Sequence, residues 1–429
     1  MKVLLTILAV HSVFIIRFFP VLSFFSCLFF FWPGLMRPDS LVQMQQGIAG
    51  VFTDFHPPMM SFVWAVFSDI YVGPGVLFVL HLALYWGAVA LFGCAQPRKA
   101  HWVYLIAFLP PVFAYQLLVI KDISFVNSFL FCAAWLHFYG MRDISPKYLS
   151  VFGWCFVAFY GTCSVHQSII VLPWLCLWFA RVYWPKQAKE WIIKGFILFG
   201  ILAVGAEVFN RTVADSSNRG QQNKLYDLAG ISINLDKPIF PEYVKQHKQY
   251  NFERIKKLYN PNRVDDLIFI DDSPLFVTFS NEELKTLNNV WISAIFSYPV
   301  AYLRHRWGVF YKQLTVSLLK HPADIKGEIT PGIRNVLLWF ENTWIFSCAT
   351  WLMAYFAYFF IQLVYLCKGY KHFSEGPKYV SLFFQNIMGV TLVMSLFFVA
   401  AAAEARYAYL AIAMFYFSHP FAFNIRDKS

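Results

Sequence analysis

Charged residues are scarce in this chain, making up only 14% of its 429 residues, whereas soluble domains carry about 25%. Hydrophobic residues account for 59% and aromatic residues for 20%, and the mean hydropathy is +0.52. Apolar runs recur along the whole chain, which excludes a soluble domain with a single membrane anchor. The composition therefore predicts an all-α polytopic membrane protein.

The chain also lacks Cys-x-x-Cys pairs and Cys/His pairs with the spacing of metal ligands. Its eight cysteines fall inside or at the ends of apolar segments, which favours packing residues over disulfides. No cluster of carboxylates suggests a divalent metal, so no cofactor is expected, although a divalent metal stays an open alternative. Because no basic patch is interleaved with aromatic residues, nothing points to a nucleic-acid partner.

About ten apolar segments approach the ~20 residues that an α-helix needs to cross the hydrocarbon core of a lipid bilayer. They lie near 10–33, 75–95, 101–119, 124–140, 149–164, 168–184, 192–209, 343–366, 379–400 and 407–423. An even number of spans places both termini on the same side of the membrane.

Basic residues are concentrated in the connections on one side of these spans. Lys2 and the segments 98–99, 142–147, 181–194, 368–378 and 426–428 together hold 14 basic and 4 acidic residues, against a net charge of +11 for the whole chain. The positive-inside rule then predicts cytoplasmic termini. The opposite, outer side is close to neutral.

Residues 210–306 interrupt the apolar pattern and form a predicted soluble insert of mixed structure on the outer side. Between 210 and 285 there are 11 acidic and 11 basic residues, and the segments 242–259 and 281–297 have helical patterns. We expect the insert to act as a cap over the membrane domain. It divides the chain into a module at 1–209, which includes an outer loop at 36–74, the insert at 210–306, and a C-terminal segment at 307–429.

The outer loop contains a predicted amphipathic helix over 39–52, which we expect to lie in the membrane interface. On a helical wheel its polar stripe is formed by Asp39, Gln43, Gln46 and Gly50, opposite an apolar face. Such a stripe would face a cavity, although a solvated interfacial helix without a role is the alternative. Asp54 and His56 follow, and Pro57-Pro58 predicts an extended exit from the loop.

Other ionisable residues stand at span ends that the topology places on the same outer side. Lys121 and Asp122 form either a local ion pair or a second part of the same site. His166 is either an interface hydrogen-bonder or a site residue. Arg304 and Arg306 suit bidentate phosphate binding, with interfacial anchoring as the alternative.

The last outer segment is Ala400-Ala-Ala-Ala-Glu404-Ala-Arg406-Tyr407. The alanines permit close approach of other helices, and an arginine at the lipid edge suits an anionic headgroup. Arg406 is expected to have few neighbours, and on a continuous helix Glu404 and Arg406 would point away from each other.

The order of these motifs resembles that of GT-C-type glycosyltransferases, and is most similar to bacterial Gtr-type O-antigen glucosyltransferases. The resemblance rests on Asp39, the segment from Asp54 to Pro58, the Lys121-Asp122 pair, the segment from Tyr298 to Arg306, and Glu404-Ala-Arg-Tyr407. It departs from the family pattern in one respect: many members have two adjacent acids in the first loop, whereas Asp39 is followed by Ser40.

The resemblance implies an inverting enzyme of the bacterial inner membrane whose active site faces the periplasm. Its donor would be a polyprenyl-phosphate-linked hexose, with glucose the implied sugar, and its acceptor a lipid-linked glycan such as the lipopolysaccharide O-antigen. A base must deprotonate the acceptor hydroxyl and cations must hold the departing phosphate.

We expect Asp39 to be that base, with Asp122 orienting the acceptor and Asp54 as the rival base. The predicted substrate-binding residues are Gln43, Gln46, His56, Lys121, His166, Arg304, Arg306, Glu404, Arg406 and Tyr407. An O-antigen polymerase or ligase is one alternative function. A transporter or flippase of lipid-linked sugars is another, but the chain shows neither inverted repeats nor polar residues at mid-span.

Overall fold

The computed structural model describes residues 18–185, 187–218, 220–316, 347–367 and 376–422. Within these ranges the chain is helical, as the composition predicts, apart from two strands of two residues each. Strand β1 (Leu35–Met36) pairs in parallel with β2 (Leu118–Val119), and Leu35 stands opposite Leu118. This short ladder lies at the end of the helical bundle that carries the polar loops.

The helices are numbered in chain order. Their bounds are α1 Phe18–Phe31, α2 Pro38–Ala49, α3 Met59–Phe67, α4 Gly75–Ala95, α5 Ala100–Ala107, α6 Pro110–Phe113, α7 Lys121–Arg142, α8 Tyr148–Thr162, α9 Ser168–Tyr183, α10 Ala188–Val213, α11 Gln221–Leu235, α12 Glu242–Lys245, α13 Phe252–Leu258, α14 Asp265–Ile268, α15 Asn281–Ser297, α16 Pro299–Thr315, α17 Cys348–Cys367, α18 Pro377–Val399 and α19 Tyr409–Ala422. Short 3₁₀ turns cover Pro97–Lys99, Ala114–Leu117 and Ala405–Ala408.

Among the residues that the structure describes, four helices are long and apolar enough to cross a bilayer: α4, α7, α10 and the Tyr379–Val399 part of α18. The segment predicted as one span at 101–119 is instead bent by 75°. The bend lies at Pro110-Pro111, because a proline lacks the N–H of the helical ladder and its ring clashes with the preceding turn. Counted as one broken span, this pair would be the fifth.

The other predicted spans correspond to shorter or only partly described helices. Helices α1, α8 and α9 are apolar and have 17 residues or fewer, α17 has 20 residues and α19 has 14. Residues 10–17, 343–346 and 423, which belong to the predicted spans, lie outside the described residues. The structure therefore establishes a helical protein whose apolar helices suit a lipid bilayer.

Helix α10 displays the surface that such a bilayer would cover. Ile197, Ile201, Val204 and Val208 are all exposed, and their spacing places them on one face of the helix. Only 17% of its most apolar stretch is buried inside the protein. A row of exposed branched aliphatic side chains would be unfavourable in water and is at home in lipid.

Polar side chains hold the interior of the bundle together. Asn127 of α7 donates to the Gln116 amide oxygen at 2.7 Å and to the His81 carbonyl of α4 at 2.9 Å. Gln116 in turn donates to the Tyr409 hydroxyl of α19 at 3.1 Å. Such hydrogen bonds between helices satisfy polar groups that have no water to bond with. They fix α4, α7 and α19 around the 3₁₀ turn that contains Gln116.

The helix predicted over 39–52 is present as α2, which ends at Ala49 because Gly50 has a left-handed conformation with φ of 68°. Its apolar Leu41 and Ile48 are exposed, whereas Gln43 is buried. A Cβ on Gly47 would lie 2.5 Å from the Ser61 carbonyl oxygen, so only glycine lets α2 and α3 approach so closely. The polar stripe consequently faces the protein, and the apolar side faces outward.

The insert is mainly helical, and one of its two predicted helical segments needs correction. Helix α15 coincides with the predicted segment 281–297, and its first turn is capped by the Ser280 hydroxyl, which accepts from the Glu283 N–H. The segment predicted as one helix at 242–259 is interrupted between α12 and α13, where the Asn251 side chain caps a new start. The Asn251 side chain accepts a hydrogen bond from the N–H three residues later. This bond competes with the backbone hydrogen bonds that would continue the preceding helix.

Both predicted boundaries of the insert fall inside helices that continue across them. Helix α10 continues to Val213, supported in its last turns by the Glu207–Arg211 ion pair at 2.7 Å. Helix α16 runs past residue 306 to Thr315. The stretch 210–213 contains neither proline nor glycine. Gly308 lies within α16 and does not end it.

The insert packs on the rest of the chain through backbone contacts. The N–H of Val264 donates to the Ala401 carbonyl at 3.0 Å, and the N–H of Ala403 donates to the Asn262 carbonyl at 2.7 Å. The six described cysteines outside α17 are free thiols, and four of them are buried in apolar contacts. Packing, rather than disulfides, therefore joins the parts of the chain for which these side chains are described.

Candidate functional site

The loops at one end of the bundle bring distant ionisable residues into one cluster. Strand β1 leads into α2, and β2 leads into α7, so their parallel pairing places Asp39 beside Lys121 and Asp122. The segment 400–408 reaches the same place from the C-terminal side, since Arg406 contacts both Asp39 and Asp122. Three of the stretches predicted to lie on one side are therefore in contact.

Arg406 is the centre of this cluster. Its Nη1 lies 3.1 Å from the Asp39 Oδ2 and 3.5 Å from the Asp122 Oδ2, and its Nε pairs with the Glu404 carboxylate. The guanidinium is only 7% exposed. Arg37 adds a further cation 3.5 Å from Glu404. The expectation that Arg406 has few neighbours was therefore wrong.

The expected divergence of Glu404 and Arg406 was also wrong, for a backbone reason. Glu404 is extended, with φ of −126° and ψ of 130°, and a 3₁₀ turn begins only at Ala405. The two residues are thus not on one continuous helix, and their side chains meet. The side-chain amide of Gln313 stabilises this conformation. It donates to the carbonyl of Glu404 and accepts from the N–H of Glu404, each at 2.9 Å.

The three carboxylates differ in how open they are. The side chain of Asp39 is 34% exposed, whereas that of Asp122 is 2% exposed. Burial raises the pKa of Asp39, but the positive charges of Arg406 and Lys121 outweigh burial and hold that pKa below its ordinary value. Asp39 is therefore an ionised carboxylate, and the more open of the two aspartates on Arg406.

Lys121 lies beside the Arg406 cluster, and its hydrogen-bond partner is a neutral imidazole. Its Nζ lies 2.5 Å from the His56 Nδ1. Burial, and next the charge of Lys121, lower the pKa of His56 to about 3. The imidazole is neutral at ordinary pH, and Nδ1 accepts the proton of the ammonium group, which has no lone pair. No carboxylate lies within 4 Å of the Lys121 Nζ among the ion pairs of the described residues.

Gln43, Gln46 and Asp54 do not join the ion-pair cluster. Gln43 donates to the Pro57 carbonyl at 3.3 Å, and Gln46 donates to the Thr53 hydroxyl at 3.0 Å. Asp54 accepts from both the N–H and the hydroxyl of Ser217, each at 2.5 Å. The two glutamines and Asp54 thereby hold the loop that carries His56, and Asp54 ties that loop to the insert.

The predicted cationic group at 304–306 is not brought to Arg406. Arg306 is buried and pairs with Asp227, with 2.7 Å from Nε to Oδ1 and 2.8 Å from Nη2 to Oδ2. Its Nη1 donates to the Ala400 carbonyl at 2.9 Å. Arg304 is exposed. Arg306 therefore joins the insert to segment 400–408, and it shares no described partner with Arg406.

Asp227 is a residue that sequence reasoning missed. It is fully buried, and it also accepts from the Trp291 Nε1 at 2.8 Å and lies 3.1 Å from the His305 Nε2. The signal in the sequence is the single carboxylate of helix α11, which lies within the otherwise uncharged stretch 225–235, since a buried carboxylate needs a cation. Helices α11 and α16 cross closely there, where a Cβ on Gly230 would lie 2.1 Å from the His305 ring.

His166 lines a cavity of 470 Å³ next to the ion-pair cluster. The cavity lies between the turn that follows α8, the C-terminal end of α10 and the start of α11, and Phe55 forms part of its wall. The charge on His166 would act on His56, so the cavity and the cluster are neighbours. Tyr407 stands beside Arg406, whose guanidinium carbon lies 5.4 Å from its ring centroid.

The acids of the cluster are arranged around a cationic side chain. Within the described ranges, no group of three His, Cys, Asp or Glu side chains is arranged to hold a metal ion. Its carboxylates converge on a guanidinium instead. What the arrangement offers is one partly open carboxylate, a lysine with a neutral partner, and a buried arginine that holds the acids together.

Comparison of the chain with protein-family models, with curated proteins and with solved structures finds no match.

Proposed function

We propose that the chain is a glycosyltransferase of the bacterial inner membrane that transfers a hexose from a polyprenyl-phosphate-linked donor to a surface glycan. Ten spans, cytoplasmic termini and a periplasmic site complete the proposal. The observation that carries it is the convergence of Asp39, Lys121, Asp122 and Arg406 at the one end of the bundle where the polar loops meet. Charge so close to apolar spans is expensive, and it is retained chiefly where it has a function.

Asp39 is the carboxylate that best fits the role of base. In the reaction, the acceptor oxygen forms a bond to the anomeric carbon while the bond from that carbon to the phosphate oxygen breaks. The hydroxyl proton passes to Asp39, and polyprenyl phosphate leaves with the electron pair. Asp122 is closed off by Arg406, and Asp54 is occupied by Ser217. The anomeric configuration inverts, because only one displacement takes place.

Lys121 is a better candidate than Arg406 for holding the departing phosphate. The charge of Arg406 is already compensated by Asp39, Asp122 and Glu404. Lys121 instead donates to a neutral imidazole, which an anionic phosphate oxygen could replace as acceptor. Hydrogen bonds between charged groups are stronger than those to neutral acceptors. Arg406 then acts by positioning Asp39.

Glucose as the sugar and the lipopolysaccharide O-antigen as the acceptor follow from the sequence resemblance alone. A polymerase or ligase would need to hold a lipid diphosphate, whose larger charge demands more uncompensated cations than this cluster provides. A transporter of lipid-linked sugars remains the competing class, and the assay must separate the two.

The test is transfer of labelled glucose from polyprenyl-phosphate glucose to lipopolysaccharide, using the purified chain in proteoliposomes. Asp39→Asn should slow transfer by about 10²–10⁴-fold, the usual contribution of a general base. Asp54→Asn is the matched control, since it removes the same charge from the same loop and should change the rate far less.

Three outcomes would count against the proposal. Full activity of Asp39→Asn with an inactive Asp122→Asn or Asp54→Asn would move the base to another carboxylate. Retention of anomeric configuration in the product, read by NMR, would exclude a single displacement. Movement of the lipid-linked sugar across the membrane without any new glycosidic bond would favour the transporter.

A further inference from the structure

Segment 400–404 leads into the turn that carries Arg406, and its own side chains cannot hold it in place. Its first four residues are alanines, whose methyl groups form no hydrogen bonds. The backbone is extended at Ala400, with φ of −67° and ψ of 127°, and again at Glu404. Because backbone N–H and C=O groups need partners when they are shielded from water, the position of this segment depends on the elements that bond to it.

The insert and helix α16 supply those partners. Their hydrogen bonds join Ala400 to Arg306, Ala401 to Val264, Ala403 to Asn262, and Glu404 to Gln313. Arg306 and Gln313 are seven residues apart on α16, so they lie on one face of that helix about two turns apart. One face of α16 therefore holds both ends of the segment.

Gln313 holds the backbone of Glu404 with both ends of its amide. It donates to the Glu404 carbonyl and accepts from the Glu404 N–H, each at 2.9 Å, and it is fully buried. The same carbonyl accepts from the N–H of Tyr407 at 3.2 Å, and this bond closes the turn that contains Arg406. Gln313 therefore fixes the residue from which that turn starts.

The Glu404 side chain carries this constraint to Asp39. Its carboxylate pairs with the Arg406 Nε, which leaves Nη1 of the same guanidinium 3.1 Å from the Asp39 Oδ2. Burial raises the pKa of Asp39, and Arg406 is the strongest of the charges that outweigh burial and lower that pKa. Movement of Glu404 would therefore move the main charge that keeps Asp39 ionised.

We propose that Gln313 is a positioning residue for Asp39, because it fixes the backbone of Glu404 and so holds the Arg406 guanidinium against the Asp39 carboxylate. The inference rests on the proposed glycosyltransferase function for its effect on the rate, whereas the effect on the Asp39 carboxylate is independent of any transfer. Helix α16 is anchored to the insert by the buried pair of Arg306 with Asp227. The insert thus sets the charge around the base.

The experiment uses the full-length chain in lipid nanodiscs and compares two buried glutamines. Gln313→Met removes both hydrogen bonds to Glu404 at a similar side-chain length. Gln221→Met is the matched control, because Gln221 donates to the Thr278 carbonyl at 3.1 Å and accepts from the Thr278 N–H at 2.8 Å. Neither of those bonds involves segment 400–404. Gln313→Asn, which is one methylene too short to keep both bonds, replaces Gln313→Met if the latter does not fold.

Protonation of Asp39 is measured without any transfer reaction. A water-soluble carbodiimide with glycine ethyl ester labels a carboxyl group in its protonated form, and Asp39 is open enough to react, with 34% of its side chain exposed. Mass spectrometry of the labelled Asp39 over a pH series gives the midpoint of labelling. The other charged or titratable groups around Asp39 and Arg406 are present in all variants, namely Lys121, Asp122, His56, Glu404, Tyr407 and Asp265.

We expect the midpoint of Asp39 labelling to move to higher pH in Gln313→Met, because Arg406 no longer stays against the carboxylate, and to keep the wild-type value in Gln221→Met. Both variants should melt below the wild type by similar amounts, since each strands two buried backbone groups. In the transfer assay, Gln313→Met should lower kcat by about ten- to a hundredfold and move the acidic limb of the pH profile to higher pH. The donor KM should stay unchanged, because the bonds of Gln313 go to Glu404 and not to Lys121.

An unchanged labelling midpoint in Gln313→Met, together with a lower melting temperature, would make Gln313 a structural residue and overturn the inference. So would an equal shift of the midpoint in Gln313→Met and Gln221→Met, which would mean a general loosening of the protein. If the midpoint shifts in Gln313→Met alone but the wild type never transfers sugar from polyprenyl-phosphate glucose, the positioning of Asp39 stands and the glycosyltransferase proposal falls. If the wild type transfers sugar while Gln313→Met changes neither the midpoint nor kcat, the inference falls and the glycosyltransferase proposal stands.

Discussion

Removal of the Arg406 guanidinium should destabilise the protein strongly, because one cation holds three carboxylates. The pair with Asp122 is buried on both sides, whereas Asp39 and Glu404 are a third and a quarter exposed. Breaking a buried ion pair by deleting one partner costs about 3–5 kcal/mol. The two more exposed pairs should add only about 0–1 kcal/mol each, since water screens them. The expected loss for Arg406→Ala is therefore dominated by Asp122.

The measurement is the apparent melting temperature of the detergent-solubilised chain, followed by tryptophan fluorescence at a fixed scan rate. With about 2 °C per kcal/mol for a chain of this size, Arg406→Ala should melt about 6–10 °C below the wild type. Arg406→Lys keeps the charge but cannot reach three carboxylates with a planar fork, so it should fall between the two.

A second variant tests whether Asp122 is the reason. In the Arg406→Ala background, Asp122→Asn should recover part of the lost stability, since it removes the stranded charge. In the wild-type background the same change should destabilise. This opposite sign is the mark of a coupled pair. A melting temperature of Arg406→Ala within about 1 °C of the wild type, or two effects that simply add, would refute the central role of Arg406.

Three further expectations follow from the described contacts. Because the pKa of His56 is about 3 in the folded chain and near 6.5 in an unfolded one, the unfolded state alone gains a proton on acidification. The free energy of unfolding should therefore fall as the pH drops below 6.5, by up to about 1.4 kcal/mol per pH unit. His56→Gln should make this pH dependence shallower. Equal slopes for the wild type and the variant would contradict the expectation. Arg306→Ala should cost about 3–5 kcal/mol by stranding its buried carboxylate, whereas the exposed neighbour variant Arg304→Ala should stay within about 0.5 kcal/mol; equal effects would argue against the buried pair. Cysteine at exposed Lys237 should react with an impermeant thiol reagent in intact cells and cysteine at exposed Lys189 only after permeabilisation, and the reverse pattern would invert the proposed topology.

Local patterns in the sequence were enough to predict much of the helical structure. The interfacial helix, the insert helix from Asn281 to Ser297, and the long apolar helices α4, α7 and α10 were predicted close to their observed positions. Each was predicted from short-range signals, chiefly the period and length of its apolar residues. The break at Pro110-Pro111 had the same kind of signal, but a run of apolar residues outweighed it.

Composition alone determined that this is a helical protein with apolar helices suited to a membrane, because so few charged residues cannot cover a soluble surface. Motif order alone also gathered Asp39, Lys121, Asp122 and Arg406 as candidates. Only the tertiary structure decided which charges meet. The parallel pairing of Leu35–Met36 with Leu118–Val119 joins the first two stretches, and the extended Glu404 turns its carboxylate toward Arg406. Arg306 pairs with Asp227 and not with the Arg406 cluster, because that carboxylate, 79 residues away in the sequence, is buried and needs a cation. Such long-range pairings have no period and no local cap, so the physical reason for them exists only once the helices are packed.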